Sequence, residues 1–227
     1  MEAFDRDGYI VVRDAFTRAE RAEVEATIDP IERACERYVS EQQGGNFRLT
    51  SSGTITFAAH PVIRDLCHDL AGDRMRLYWD QSVYKKTGKK QEFPWHQDNG
   101  YTFIEPQQYL TFWIPLDDVD EENGCPWIAR GLHKLGTLEH WLTPIGLKCL
   151  EEADDAVAAP AATGDIILFS SLAPHRTGPN LKDGTVRKAY ILQYAPDGAI
   201  AYPVGKDAAR CDASDRQYVV LKRGIAA

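Results

Sequence analysis

Leu77–Tyr84 (LYWDQSVY) is a short run rich in aromatic and β-branched residues, the composition of a β-strand. Three more runs share its texture: Tyr109–Ile114 (YLTFWI), Asp165–Ser170 (DIILFS) and Ala189–Tyr194 (AYILQY). Gly, Pro, Asn and Asp separate them, so the chain from Met75 onward alternates strands with turns. That punctuation predicts a sandwich or barrel, and an open-ended double-sheet jelly roll fits best. The expected fold class is mainly β with flanking helices, a double-stranded β-helix of cupin-like form.

The helices belong to the front of the chain. Gly8–Val12 (GYIVV) reads as a strand, and Thr17 followed by Glu20 makes a capping box that opens a helix to about Tyr38, interrupted near Pro30. His60–Leu70 (HPVIRDLCHDL) places Pro61 at a first helical position, Val62, Ile63, Leu66, Cys67 and Leu70 on one face, and Gly72 at the end. Gly131–Leu147, with His133, His140 and Trp141, and the alanine-rich, acidic Ala153–Ala162 read as insertions between strands. Residues 1–227 are expected to form a single domain, the helical segment packed on the jelly-roll core.

A formal net charge of −8 argues against nucleic acid and anionic membrane surfaces as partners and favours a small-molecule substrate. No run of about 18 apolar residues exists to span a bilayer, and the opening MEAFDRDGYI is charged where a signal peptide needs an apolar core. The chain therefore reads as cytoplasmic. Cys35, Cys67, Cys125, Cys149 and Cys211 are odd in number and lack C-x-x-C spacing, which fits reduced thiols. No feature predicts a particular oligomer.

Chemistry concentrates at His96 and Asp98, an H-x-D in Trp95–Asn99 (WHQDN), and at His175 in Ser171–Asn180 (SLAPHRTGPN). On a strand, residues two apart face the same way, so His96 and Asp98 reach toward one cation. Two imidazoles and one carboxylate suit a divalent first-row metal, and a facial triad with open positions is diagnostic of Fe(II) oxygenases. Arg187 opens the run Arg187–Tyr190 (RKAY). Its planar guanidinium can hold a carboxylate by two parallel hydrogen bonds, with the Thr177 hydroxyl adding a third. Those two anchor one end of a dicarboxylate such as 2-oxoglutarate, leaving the keto acid end to chelate the metal beside O2.

Several motifs in order, Phe4–Phe16 (FDRDGYIVVRDAF), Gly88–Asp98 (GKKQEFPWHQD), Phe112–Leu116 (FWIPL), Glu122–Cys125 (ENGC), Gly164–Phe169 (GDIILF) and His175–Ala189 (HRTGPNLKDGTVRKA), closely resemble the phytanoyl-CoA dioxygenase family. The resemblance implies a double-stranded β-helix that uses Fe(II), 2-oxoglutarate and O2 to hydroxylate an unactivated carbon, releasing succinate and CO2. It carries the iron ligands onto His96, Asp98 and His175, the cosubstrate arginine onto Arg187, its hydroxyl partner onto Thr177 and an aromatic lining position onto Trp113. Gln81 resembles a polar pocket residue of relatives such as ectoine hydroxylases. Asp98 stands where halogenating relatives carry a small residue, which disfavours halogenation. Ala129–His133 (ARGLH) replaces a common P-G-S-H turn, so the acyl-CoA substrate does not carry over.

Trp95, Tyr101 and Phe103 flank the H-x-D and are candidates for a substrate wall, with core packing the competing account. His133 and His140 read as polar surface or capping residues, His68 as a helix-surface residue, and Lys85, Lys86, Lys89 and Lys90 (KKTGKK) as a solvated hairpin turn rather than a CoA phosphate site. Two rival functions use the same three ligands: a cupin-like metal hydrolase or isomerase, in which Arg187 has no cosubstrate to hold, and a metal-stabilised binding module without oxygen chemistry. Which small molecule is oxidised, and whether by hydroxylation, desaturation, epoxidation or cyclisation, the sequence leaves open.

Overall fold

The computed structural model describes residues 1–42, 57–87 and 92–222. Its strands are β1 (Tyr9–Val12), β2 (Arg74–Lys86), β3 (Phe93–His96), β4 (Phe103–Glu105), β5 (Leu110–Pro115), β6 (Pro126–Ala129), β7 (Trp141–Thr143), β8 (Gly146–Lys148), β9 (Ala156–Ala158), β10 (Ile166–Ser170), β11 (His175–Thr177), β12 (Val186–Pro196), β13 (Ile200–Tyr202), β14 (Ala209–Arg210) and β15 (Val219–Lys222). A six-stranded sheet of order β1-β10-β5-β12-β2-β15 faces a four-stranded one of order β3-β11-β6-β9, and all their pairings are antiparallel. This is the jelly roll the strand spacing predicts.

Alternation along the strands of the large sheet makes two cores. Its outer face carries Leu110, Phe112, Ile114, Leu168, Tyr190, Leu192 and Tyr194, packed with Phe16, Val24 and Ile28 and with Ile63 and Cys67 of the helix Pro61–Ala71. The inner face carries Trp113, Ile167, Phe169 and Ala189, which meet Ile128 of the small sheet. In β2 the register passes from Tyr194 opposite Leu77 to Gln193 opposite Trp79, so Tyr78 is an extra residue. The bulge reverses the facing of everything after it. Trp79, Gln81, Val83 and Lys85 thereby join the inner face, although Leu77 belongs to the outer core.

The capping box forms as read: Thr17 N–H donates to Glu20 Oε2 at 2.8 Å, and Glu20 N–H to Thr17 Oγ1 at 3.3 Å. The expected break near Pro30 does not occur, and the helix Arg18–Gln42 runs through it. Buried Val24 and Ile28, with Lys188 bonded to Glu25 and Asp29, hold the turn whose hydrogen bond the proline removes. His60 caps the next helix by accepting from Val62 N–H at 3.3 Å, ahead of Pro61. Ala153–Ala162 is a correction to the insertion reading: β9 lies within it and pairs with β6 as part of the small sheet. Gly131–Leu147 does behave as an insertion, containing a 3-10 turn and the β7–β8 hairpin. Gly88, Lys89 and Lys90 lie outside the described residues.

Candidate metal centre and cosubstrate cradle

His96 ends β3 and His175 begins β11, and the two are direct partners across the antiparallel ladder. Their rings lie 4.1 Å apart between centroids. Asp98 is not on that strand. The chain stays extended through Gln97 and then turns, so Asp98 opens the single helical turn Asp98–Tyr101. Its Oδ1 still lies 3.9 Å from His96 Nε2 and 3.8 Å from His175 Nε2. One donor atom from each of the three falls within 4.8 Å of the others.

Both imidazoles are fixed the same way. His96 Nδ1 meets Pro94 O at 2.9 Å and His175 Nδ1 meets Ala173 O at 3.0 Å, so each Nδ1–H donates to a carbonyl and each Nε2 lone pair is left for a cation. Burial, with His175 alongside, holds His96 well below the ordinary imidazole pKa, which favours the neutral ring that a cation could bind. The Thr111 hydroxyl donates to Asp98 Oδ2 at 2.5 Å and orients Oδ1 toward the histidines.

The residues between the ligands, absent from the sequence reading, clamp the turn. Gln97 is fully buried; its amide donates to Leu172 O at 2.6 Å and Gly136 O at 2.9 Å and accepts from Leu138 N–H at 2.6 Å. Asn99 donates to Thr137 Oγ1 at 2.7 Å and accepts from Ile104 N–H at 2.9 Å. His140 acts as a cap, its Nε2 accepting Gln97 N–H at 3.0 Å. A Cβ on Gly100 would stand 2.2 Å from that imidazole, so glycine is required there. His133, read as a polar surface or capping residue, is buried and bonded through Nε2 to Asp5 O at 3.1 Å. His68 sits on its helix surface, between Asp69 and Asp73.

Arg187 lies on β12, 1% exposed, with its guanidinium 5.2 Å above the Trp113 ring. Nη1 donates to Val83 O at 3.4 Å, whereas Nε and Nη2 are sealed from solvent with no partner among the described residues. Burial draws its pKa down to about 10. Lys85 is its direct partner on β2. Far from marking a solvated turn, Lys85 Nζ donates to Thr177 Oγ1 at 2.8 Å, Thr177 O at 3.0 Å and Gly178 O at 2.7 Å. Burial, and then the Arg187 charge, pull its pKa to about 7. Two cations and a hydroxyl thus gather at one end of the inner face, with Arg187 Nε and Nη2 left to spare. Gln81 is in register with Ile191, itself in register with Trp113, and its side chain is exposed.

The three flanking aromatics separate. Tyr101 stands edge-on to His96 at 5.5 Å and accepts Leu147 N–H at 3.0 Å; a Cβ on Gly146 would meet its hydroxyl at 2.5 Å. Phe103 opens β4 and packs edge-on to Tyr202 at 6.0 Å. Trp95 alternates with His96 and turns to the outer face of the small sheet. There Arg176 covers both Trp95 and Trp127, and all three line a groove of about 590 Å³ remote from the histidines. Phe93, overlooked in the sequence, takes a place at the site, 4.7 Å from the His96 ring.

A jelly roll that closes two imidazoles and a carboxylate on one point, beside a buried guanidinium with unused donors, defines the class of Fe(II)- and 2-oxoglutarate-dependent oxygenases. Within that class the chain belongs to the phytanoyl-CoA dioxygenase (PhyH) family, whose profile matches residues 4–189. It is 30% identical over 149 residues to a 2-aminoethylphosphonate dioxygenase of the uncultured bacterium HF130_AEPn_1, an alignment covering 64% of this chain and 56% of that one. It is 24% identical to the ectoine dioxygenase of Sphingopyxis alaskensis, over 98% of this chain and 81% of that one. Among solved structures, the non-heme monooxygenase ThoJ in its apo form superposes with a TM-score of 0.78 at 24% identity, covering 98% and 84% of the two chains. The epimerase SnoN in complex with Fe3+, alpha ketoglutarate and nogalamycin RO gives 0.71 at 22% identity, covering 90% and 85%.

Proposed function

We propose that this protein is an Fe(II)- and 2-oxoglutarate-dependent dioxygenase in which His96, Asp98 and His175 hold the iron and Arg187, Lys85 and Thr177 hold the far carboxylate of the cosubstrate. The observation that carries the reading is Arg187: a guanidinium 1% exposed, with two sealed and unpartnered nitrogens, is a costly arrangement unless an anion arrives to satisfy it. A metal hydrolase or a binding module has no use for that cost. Trp113 forms the floor beneath the guanidinium, and Gln81 flanks the keto acid end.

The donor set fits the metal, with two Nε2 lone pairs and one oriented carboxylate oxygen. When bound, iron supplies activation of O2 coupled to oxidative decarboxylation of 2-oxoglutarate, which yields succinate, CO2 and a hydroxylated substrate C–H. The protein's share is positioning. Thr111 and the two backbone carbonyls fix the ligands, Phe93 and Phe169 pack against the imidazoles and exclude water, and the cations align the cosubstrate. Relatives named as dioxygenases and hydroxylases support the reaction class. The same reading treats residues 1–227 as one catalytic domain acting on a small molecule in the cytoplasm. Buried free thiols at Cys67, Cys125, Cys149 and Cys211 support that compartment, and no helix among the described residues is long and apolar enough to cross a membrane.

The test is anaerobic addition of Fe(II) and then 2-oxoglutarate to metal-free protein. A weak visible charge-transfer band is expected from wild type and is lost in Asp98→Ala. Iron binding without a band at saturating 2-oxoglutarate would return the hydrolase and binding-module readings to the lead.

A further inference from the structure

Among the described residues Gln193 is a buried amide without a hydrogen-bond partner. It is 6% exposed, and among the described residues its side chain makes no hydrogen bond. Unlike the Arg187 nitrogens it is not sealed, so it borders open space. Native proteins seldom leave such a group unanswered, and the usual answer is water or a ligand.

Its position says which ligand. Gln193 pairs directly with Thr111 on β5 and with Trp79 on β2. Direct partners share a face and approach within about 5.5 Å at Cβ. Thr111 points inward because its hydroxyl bonds Asp98. Thr111, Gln193 and Trp79 therefore form one row across the inner face at the level of the carboxylate ligand. The next row, Trp113, Ile191 and Gln81, begins the cosubstrate cradle, which continues to Arg187 and Lys85. Gln193 stands at the level of Asp98, one row from that cradle.

Charge narrows the class. Along the inner face of β2, β5 and β12, Arg74 and Arg76 are tied to Asp197, and the remaining charged side chains are Lys85 and Arg187, both at the cradle end. A carboxamide carries no charge and both donates and accepts. We infer that Gln193 is the hydrogen-bonding anchor of the oxidised substrate. The substrate is then an uncharged molecule bearing a hydroxyl, carbonyl or carboxamide. This rests on the oxygenase reading above.

Four probes of one size test it: benzamide, benzyl alcohol, benzoate and benzylamine, titrated by ligand-observed NMR against anaerobic protein loaded with Fe(II) and 2-oxoglutarate. The charge-transfer band of wild type is recorded first; its absence overturns the oxygenase reading and this inference together. With the band present, the two neutral probes are expected to bind saturably and the two charged ones at least tenfold more weakly. Gln193→Leu should weaken benzamide at least tenfold, and the near-isosteric Gln193→Glu should reverse the preference toward benzylamine. No saturable neutral probe, a charged probe preferred by wild type, or an unaltered preference in Gln193→Glu, each with the band intact, overturns the assignment of Gln193 alone.

Discussion

Arg187→Met separates a binding guanidinium from a structural one, because it should strengthen the empty protein while crippling the loaded one. Methionine keeps an unbranched stem over Trp113 and removes the charge. Burial lowers the guanidinium pKa from its ordinary value to about 10, which corresponds to roughly 3 kcal/mol carried by the protein without cosubstrate. Losing the stacking on Trp113 and the long bond to Val83 O gives back about 1 kcal/mol each. The net gain is about 1 kcal/mol, or a rise in Tm of roughly 2–4 °C for a chain of this size. Removing one partner of a buried, hydrogen-bonded charge pair costs about 3 kcal/mol in binding, so the Kd for 2-oxoglutarate should rise by roughly 150-fold. Thermal unfolding with and without 2-oxoglutarate, alongside Kd from the charge-transfer band, reads both effects. A fall in Tm together with an unchanged Kd would refute the reasoning, since Arg187 would then be holding β12 rather than a ligand.

Lys85 sets the pH dependence. Its folded pKa of about 7 lies below the unfolded 10.5, so between those values the unfolded chain binds more protons and stability of the cosubstrate-free protein rises with pH. Cosubstrate binding recruits a proton to Lys85, and affinity should fall as pH rises above about 7; titrations from pH 6.5 to 9 that slope equally in Lys85→Gln would defeat this. Thr111→Val removes the bond to Asp98 Oδ2 and should weaken Fe(II) roughly 10- to 100-fold, measured by competition with a chelator; an unchanged Kd would mean that Asp98 is oriented otherwise. Gln97→Leu leaves Leu172 O, Gly136 O and Leu138 N–H unbonded at the turn between the ligands. It should cost about 3 kcal/mol, or roughly 6–12 °C in Tm, and calorimetry finding under 2 °C would be evidence against the clamp.

The strand runs were legible because each has its own composition, and the ligand set because two imidazoles and a carboxylate are chemically distinctive. What escaped depended on contacts between distant segments. Lys85 was indistinguishable from Lys86 in the sequence. Only the bulge at Tyr78 decides that Lys85 faces inward, and a one-residue shift leaves no mark in composition. Trp95 fell on the wrong face for the converse reason: alternation from His96 already turned it outward, and its aromatic character drew attention over its parity. Ala153–Ala162 looked like a loop because small residues carry little strand signal, yet β6 offers Trp127–Ala129 as a ready edge for it. Pro30 warned of a break that anchors on both sides of its turn override. Gln97 and Asn99 could have been suspected, since amides flanking a ligand commonly fasten the backbone that presents it.

His96 and His175 meet on a single rung of the ladder, although they stand far apart along the chain. Closing that rung requires β3, β5, β6, β10 and β11 to have found their places, so the two imidazoles come together only when a long stretch of polypeptide has been looped and threaded. Metal ions in the folding medium therefore have no preformed pair to seize early, and, with the ligand set proposed above, iron uptake would be a clock that marks the completion of the topology rather than its nucleation.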